Sequence, residues 1–67
     1  MRRTLRVRGM SCGGCARGVE RALSALSGVE WVEVDLDAGT ARMEVSEGFQ
    51  IDAAVEAVRR AGCDVEP

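Results

Sequence analysis

Apolar and polar residues alternate in some stretches of this 67-residue chain and follow a helical spacing in others. Leu5 and Val7 alternate with Arg6 and Arg8, which predicts a first strand with one apolar face that ends at Gly9. From residue 15 onward the spacing is helical, and we predict a helix of about three turns that stops at the glycine at position 28. The apolar face of this helix consists of Ala16, Val19, Ala22, Leu23 and Leu26.

The second half of the chain predicts a β-hairpin, a second helix and a short last strand. The hairpin strands alternate apolar and charged residues on either side of a turn at residues 37–39. Their apolar residues are Val32, Val34 and Leu36 in one strand and Ala41, Met43 and Val45 in the other. The helix that follows has Arg59 and Arg60 at its negative end and Gly62 as its stop. Its apolar residues are Ile51, Ala54, Val55 and Val58, and residues 63–66 remain for the last strand.

The predicted order is therefore β-α-β-β-α-β. Right-handed crossovers and short connections favour an α+β fold, with one four-stranded antiparallel sheet and both helices on one face. This arrangement is the ferredoxin-like sandwich, and we expect residues 1–67 to form a single domain. In such a domain strand one and helix two both finish at one end, and the tip of the hairpin lies at that end too. Cys63 is therefore expected near Cys12 and Cys15, and Trp31 toward the opposite end.

Composition narrows the classes of function. The chain is 46% hydrophobic and 30% charged, which is ordinary for a folded domain, and it is short for an enclosed active site, so we do not expect an enzyme. Its net charge of −2 and its few aromatic residues disfavour nucleic-acid binding. No apolar stretch approaches the length of a membrane span, so we expect no membrane insertion and take the cytoplasm as the compartment.

The candidate chemistry lies in Cys12 and Cys15, which flank two glycines between the first strand and the first helix. The first turn of a helix favours negative charge, so Cys15 is expected to act as a thiolate, and Cys12 on the loop can fold back toward it. Two soft sulfur ligands at low coordination suit Cu(I), whereas a closed zinc site normally has four ligands. With no histidine and three cysteines, one chain lacks the ordinary zinc set.

The stretch Gly9 to Cys15 reads Gly-Met-Ser-Cys-Gly-Gly-Cys. Together with Ser-Gly-Val at 27–29, Val-Glu-Val at 32–34 and Ala-Gly at 61–62, it resembles the heavy-metal-associated domain family. This family includes small bacterial copper chaperones, N-terminal domains of metal-transporting P-type ATPases, and mercury-binding proteins. The resemblance implies Cu(I) held by Cys12 and Cys15 and passed by ligand exchange to a partner, such as the metal-binding domain of a copper-transporting P-type ATPase. It also implies that Ser11 favours monovalent copper and that Met10 packs under the loop.

Cys63 departs from the family, whose copper-chaperone-like members often carry Tyr, or Lys in eukaryotic relatives, after the Ala-Gly pair. One interpretation is a small buried residue that fills part of the space of the missing ring. The other is a third metal ligand, which gives trigonal coordination or helps to bridge two chains through a copper cluster. We expect a monomer without metal, with a metal-bridged dimer as the alternative.

Several alternatives stay open at this point. The chain could be a free copper chaperone or one domain of a copper-transporting P-type ATPase, and the same thiolates suit Hg(II). Zn(II) or Cd(II) would need a dimer, or Asp64 and Cys63 as added ligands. A thiol-disulfide oxidoreductase also places Cys-x-x-Cys at a helix N-terminus, but here no Trp precedes Cys12 and the only proline is Pro67.

Overall fold

The computed structural model describes residues 1–10 and 13–66 of the chain, so Ser11, Cys12 and Pro67 lie outside the described residues. Within those ranges the predicted order β-α-β-β-α-β is confirmed. The elements are β1 Arg2–Arg8, α1 Gly13–Ser24, β2 Val29–Asp35, β3 Thr40–Val45, α2 Ile51–Arg60 and β4 Asp64–Glu66. Among the described residues, neither helix is long and apolar enough to cross a membrane.

The described strands form one antiparallel sheet in the order β2-β3-β1-β4. β1 therefore lies inside the sheet, paired through Leu5 with Ala41 of β3 and through Val7 with Val65 of β4. Some strands are neighbours in the sheet but distant in the sequence, so the chain must cross the sheet through its two helices. The predicted topology has the same two helical crossovers. β2 and β4 form the two edges.

The core lies between the sheet and both helices. Because strand side chains alternate between faces, the apolar residues of β1 and β3 all point to one side, where the helices bury their apolar stripes. One buried cluster contains Leu5 and Val7 of β1, Ala41, Met43 and Val45 of β3, Val19 and Leu23 of α1, and Ala54, Ala57 and Val58 of α2. Both helices therefore lie on the same face of the sheet, as predicted.

The end of α1 differs from the prediction. The helix ends at Ser24, four residues before Gly28, which has a φ of +92°. The Gly28 carbonyl accepts hydrogen bonds from the backbone N–H of Ser46 at 2.8 Å and from its hydroxyl at 3.1 Å. Gly28 therefore serves the turn into β2 and its anchorage beside the end of β3, and is not the residue that stops the helix.

The bounds of β2 also differ from the prediction. The strand already includes Val29, and a register shift between Val29 and Trp31 inserts one residue relative to β3. A bulge of this kind changes which residues face the core, so Val29 and Val32 can both pack inward. At the other end Leu36 falls in the turn and is 36% exposed. That turn is held by Asp35, whose carboxylate accepts the Ala38 N–H at 3.1 Å.

The face of the sheet away from the helices carries paired charges. Arg2 lies 3.9 Å from Glu44, Arg8 lies 3.9 Å from Glu66, and Arg42 forms an ion pair with Glu33. Each pair joins different strands of the sheet. Exposed ion pairs of this kind contribute at most about 1 kcal/mol each. The charged side chains of this open face therefore largely neutralise one another.

Trp31 lies on the same open face, 45% exposed, with the Arg2 guanidinium 5.9 Å from its ring centre. Arg2 is the first residue of β1, whereas the cysteine motif follows the last residue of that strand. Trp31 therefore lies toward the end opposite the motif, as predicted.

Candidate metal centre

The β1–α1 junction carries the cysteine motif. Gly9 follows β1 with a φ of +88°, a left-handed conformation that favours glycine and turns the chain out of the sheet. Met10 is partly buried and packs against the core. Cys15 lies in the first turn of α1 and is also partly buried against the core. Cys12, the other motif cysteine, lies outside the described residues.

The α2–β4 junction carries Cys63, and a Schellman motif fixes its position. After the last helical residue, Gly62 adopts a φ of +92° and its N–H donates to the Arg59 carbonyl at 3.0 Å. The Cys63 N–H donates to the Val58 carbonyl at 3.2 Å, which is the longer hydrogen bond of the same motif. Such motifs usually join an apolar residue after the helix to one in its last turn, and both Cys63 and Val58 are buried in the core cluster.

The two junctions meet at one end of the domain. A Cβ atom built on Gly9 would lie 3.8 Å from the Cα atom of Cys63, so the backbone of the first junction passes against Cys63. The hairpin tip is at the same end, because the Val7 N–H donates to the Gly39 carbonyl at 2.8 Å. The structure thus places Cys63 beside the junction that contains Cys15, as the topology predicted.

Burial and a neighbouring charge both act on the Cys63 thiol. Its side chain is 8% exposed, and burial raises the pKa of Cys63 from its ordinary value of 9.0. The charge of Cys15 raises the pKa of Cys63 as well. In the absence of metal Cys63 is therefore a protonated thiol at neutral pH, and binding a metal must displace its proton.

Charged groups surround this end without entering the core. Arg8 and Arg59 both pair with carboxylates of β4, Arg8 with Glu66 at 3.9 Å and Arg59 with Asp64 at 3.3 Å. The Val65 N–H and then Arg59 lower the pKa of Asp64, which is exposed. Arg60 instead pairs along its own helix with Glu56 at 3.4 Å. A shallow concavity is lined by Arg8, Gly9, Arg59, Gly62, Cys63 and Asp64.

Thiols are the donors that this end offers to a metal ion. Across residues 1–10 and 13–66, no three His, Cys, Asp or Glu side chains are grouped so that they could hold a metal ion. The described thiols are Cys15 and Cys63, and the motif adds Cys12. Two or three sulfur donors suit a soft ion of low coordination number, and the chain has no histidine to complete a harder set.

The sequence matches the family model of the heavy-metal-associated domain over residues 4–64. The chain belongs to this family.

Among its relatives, the copper chaperone CopZ of Staphylococcus haemolyticus is 38% identical over 65 residues, which cover 96% of each protein. A copper-exporting P-type ATPase of Mycobacterium tuberculosis is 43% identical over 58 residues, which cover 87% of this chain and 8% of that protein. Among solved structures, the CopZ metallochaperone superposes with a TM-score of 0.94 at 31% identity, with coverage of 98% of this chain and 100% of that one. The sequence neighbours therefore include both small chaperones and one segment of much larger transporters.

Sequence reasoning found the three cysteines but missed the part that Gly9 has in the site. It treated Gly9 as the end of a strand, whereas the structure shows that Gly9 also lets the backbone pass against Cys63. For Cys63 itself a signal was present, because a Gly62-Cys63 sequence after a helix is typical of a Schellman motif, in which the residue after the glycine often packs inward.

Proposed function

We propose that this chain is a Cu(I) carrier and not an enzyme: Cys12 and Cys15 hold one Cu(I) ion as thiolates, and the ion passes to a partner site by ligand exchange. The observation that carries the proposal is the position of Cys15. It lies in the first turn of α1, partly exposed, at the end of the domain where a second thiol is already present. A helix N-terminus stabilises a thiolate, and the partial exposure leaves the sulfur accessible to an incoming ligand.

The donor chemistry supports copper over harder metals. Two thiolates at low coordination number suit Cu(I), while Zn(II) normally completes four ligands and here would need a second chain, or Asp64 and Cys63 as added ligands. The Asp64 carboxylate already accepts hydrogen bonds from Val65 at 2.9 Å and Arg59 at 3.3 Å. The names of the relatives, a copper chaperone and a copper-exporting ATPase, point the same way. Hg(II) would bind the same sulfurs, and is the alternative cargo.

The proposed partner is a metal-binding domain of a copper-transporting P-type ATPase. A domain of the same family would present its own pair of thiols, and copper could then pass through a three-coordinate intermediate with sulfurs from both proteins. The reaction needs reduced cysteines on both sides, which places it in the cytoplasm.

A second candidate is that this sequence is itself such an ATPase domain. The 43% identity to a segment of the Mycobacterium tuberculosis transporter favours this reading. The metal site would be the same, but copper would then be handed onward within one protein. The complete open reading frame decides between the two.

Native mass spectrometry and a Cu(I) competition titration with a chromophoric chelator test the proposal under reducing, oxygen-free conditions. We expect one Cu(I) per chain, and a loss of affinity of about 10²-fold or more in Cys15→Ser, because one of two linked ligands is removed. Ala25→Ser is the matched control, since it introduces the same hydroxyl at an exposed position beyond the other end of α1. An unchanged affinity in Cys15→Ser, or Zn(II) retained in the presence of stoichiometric Cu(I), would contradict the proposal.

A further inference from the structure

We propose that Cys63 and Cys15 form a second, inner thiolate pair for the same ion, so that Cys15 is shared between an outer site with Cys12 and an inner site with Cys63. This inference rests on the proposed function, because both sites take the same soft metal ion. It goes beyond that function in giving the chain two positions for one ion.

The first support is the placement of the two described cysteines. Cys15 and Cys63 come from opposite ends of different helices, and both pack against the same buried cluster. The close approach of Gly9 to the Cα atom of Cys63 keeps bulk out of the space between the two junctions. Any side chain at position 9 would lie beside Cys63, and glycine has none.

The second support is electrostatic. Both cysteines lie at the end of the domain where the β1–α1 and α2–β4 junctions meet, Cys15 in the first turn of α1 and Cys63 just after α2. Two thiolates at one end of so small a domain repel each other, and a cation placed between them replaces the repulsion with two attractive contacts. The pair of thiolates therefore favours a bound metal cation.

The third support is the difference in burial between the two sulfur-bearing residues. Cys63 is 8% exposed and held by the Schellman motif, so its position is fixed before any metal arrives. Fixed ligands lose little conformational entropy on binding. The concavity lined by Gly9, Gly62 and Cys63 gives water and small ions access to the site from the side of Cys63.

The exchange between the two positions is a ligand substitution without a redox step. The Cys63 S–H bond breaks and its proton goes to water, a Cu–S bond to Cys63 forms, and the Cu–S bond to Cys12 breaks. Copper remains Cu(I) throughout, and the state in which all three sulfurs bind is the midpoint of the exchange. A partner's thiolate must reach the copper ion itself, and an ion held beside the buried Cys63 is less accessible to it, so the inner site holds copper and the outer site releases it.

The test compares Cys12→Ser with the double variant Cys12→Ser/Cys63→Val, with Cu(I) alone as the probe in a chelator competition. In Cys12→Ser the remaining thiols are Cys15 and Cys63. We expect one Cu(I) per monomer in native mass spectra, two sulfur neighbours by X-ray absorption, and an affinity about 10²-fold or more above that of the double variant. Equal affinities of these two variants, or a single sulfur neighbour in Cys12→Ser, would overturn the inference.

The single variant Cys63→Val separates this outcome from a failure of the proposed function. If wild type and Cys63→Val both bind one Cu(I) while Cys12→Ser binds no better than the double variant, the outer site stands and the inner one falls. If wild type itself binds no Cu(I), the proposed function falls. Valine keeps an apolar side chain in the pocket. The X-ray absorption result on Cys12→Ser decides the question even if both Cys63 variants unfold.

Discussion

The two cysteine-bearing junctions meet at one end of the domain, yet they are built in opposite ways. The β1–α1 junction leads into the N-terminus of a helix and leaves Cys15 partly exposed. The α2–β4 junction leaves the C-terminus of a helix and draws Cys63 into the core. A helix N-terminus favours negative charge and a C-terminus disfavours it. The comparison shows how a single small fold can leave one thiol partly exposed and bury another at the same end.

Backbone hydrogen bonds close the α2–β4 junction. At the α2–β4 junction, the N–H groups of Gly62 and Cys63 satisfy carbonyls of the last helical turn. This arrangement fixes the position of Cys63 through the backbone and does not depend on its sulfur. Substitutions near this junction are therefore expected to act on stability, whereas substitutions of Cys15 are expected to act on metal affinity.

The largest effect that sharpens this comparison is expected from Val58→Ala. Val58 is fully buried in the last turn of α2 and shares the core with Cys63. Removing its two methyl groups should lower the free energy of unfolding by about 2 kcal/mol, measured by urea denaturation of the metal-free protein. Val55→Ala, on the same helix but only partly buried, is the matched control and should lose less. Equal losses would mean that the junction is not tightly packed.

A smaller effect is expected from Gly62→Ala. The added Cβ meets no atom within 4 Å, so its effect comes from the φ of +92° alone. We expect a loss of about 1 kcal/mol in the free energy of unfolding. Gly18→Ala in α1 also meets no atom within 4 Å, but in a helical conformation, and should stabilise the protein by about 0.5–1 kcal/mol. Chemical denaturation of both variants tests the opposite signs, and a stabilised Gly62→Ala would refute the Schellman assignment.

The smallest expected effect is a dependence of stability on alkaline pH. Burial and then the charge of Cys15 raise the pKa of Cys63 above 9.0, so the unfolded chain releases this proton at lower pH than the folded chain does. The stabilisation is therefore fully present below about pH 9 and is lost as the pH rises through the folded pKa. Urea midpoints of the metal-free, reduced protein should fall over that range, and the fall should be smaller in Cys63→Val. An identical fall in that variant would assign the effect to other groups.

Much of this fold could be predicted from the sequence, because periodicity and glycine positions specify it locally. The alternation at Leu5 and Val7 and the glycine at 62 both led to the observed elements. The bulge before Trp31 could not be predicted, since one inserted residue in an edge strand leaves no periodic signal of its own. The end of α1 at Ser24 was missed because Gly28 marks the next turn and sequence alone does not say which turn a glycine serves.

The candidate site was predictable to a similar extent. Topology alone brought Cys63 to the end that holds Cys15, because helix direction and strand order leave no other place for residue 63. The burial of Cys63 needed the structure, since a cysteine after a helix can point inward or outward until the backbone hydrogen bonds are known. That Cys12 and Cys15 bind the metal stays a prediction.

The acidic residues at the two edges of the sheet affect how copies of this protein can associate. β2 presents Glu33 and Asp35 on the open face, and β4 presents Asp64 and Glu66. Three of these carboxylates pair with arginines, but those arginines lie on β1, β3 and α2 and not on the edge strands. Two copies that approached edge to edge would therefore bring carboxylates beside carboxylates in every combination of these strands, which opposes growth of a continuous sheet. The domain is thereby kept from polymerising through the two edges of its sheet.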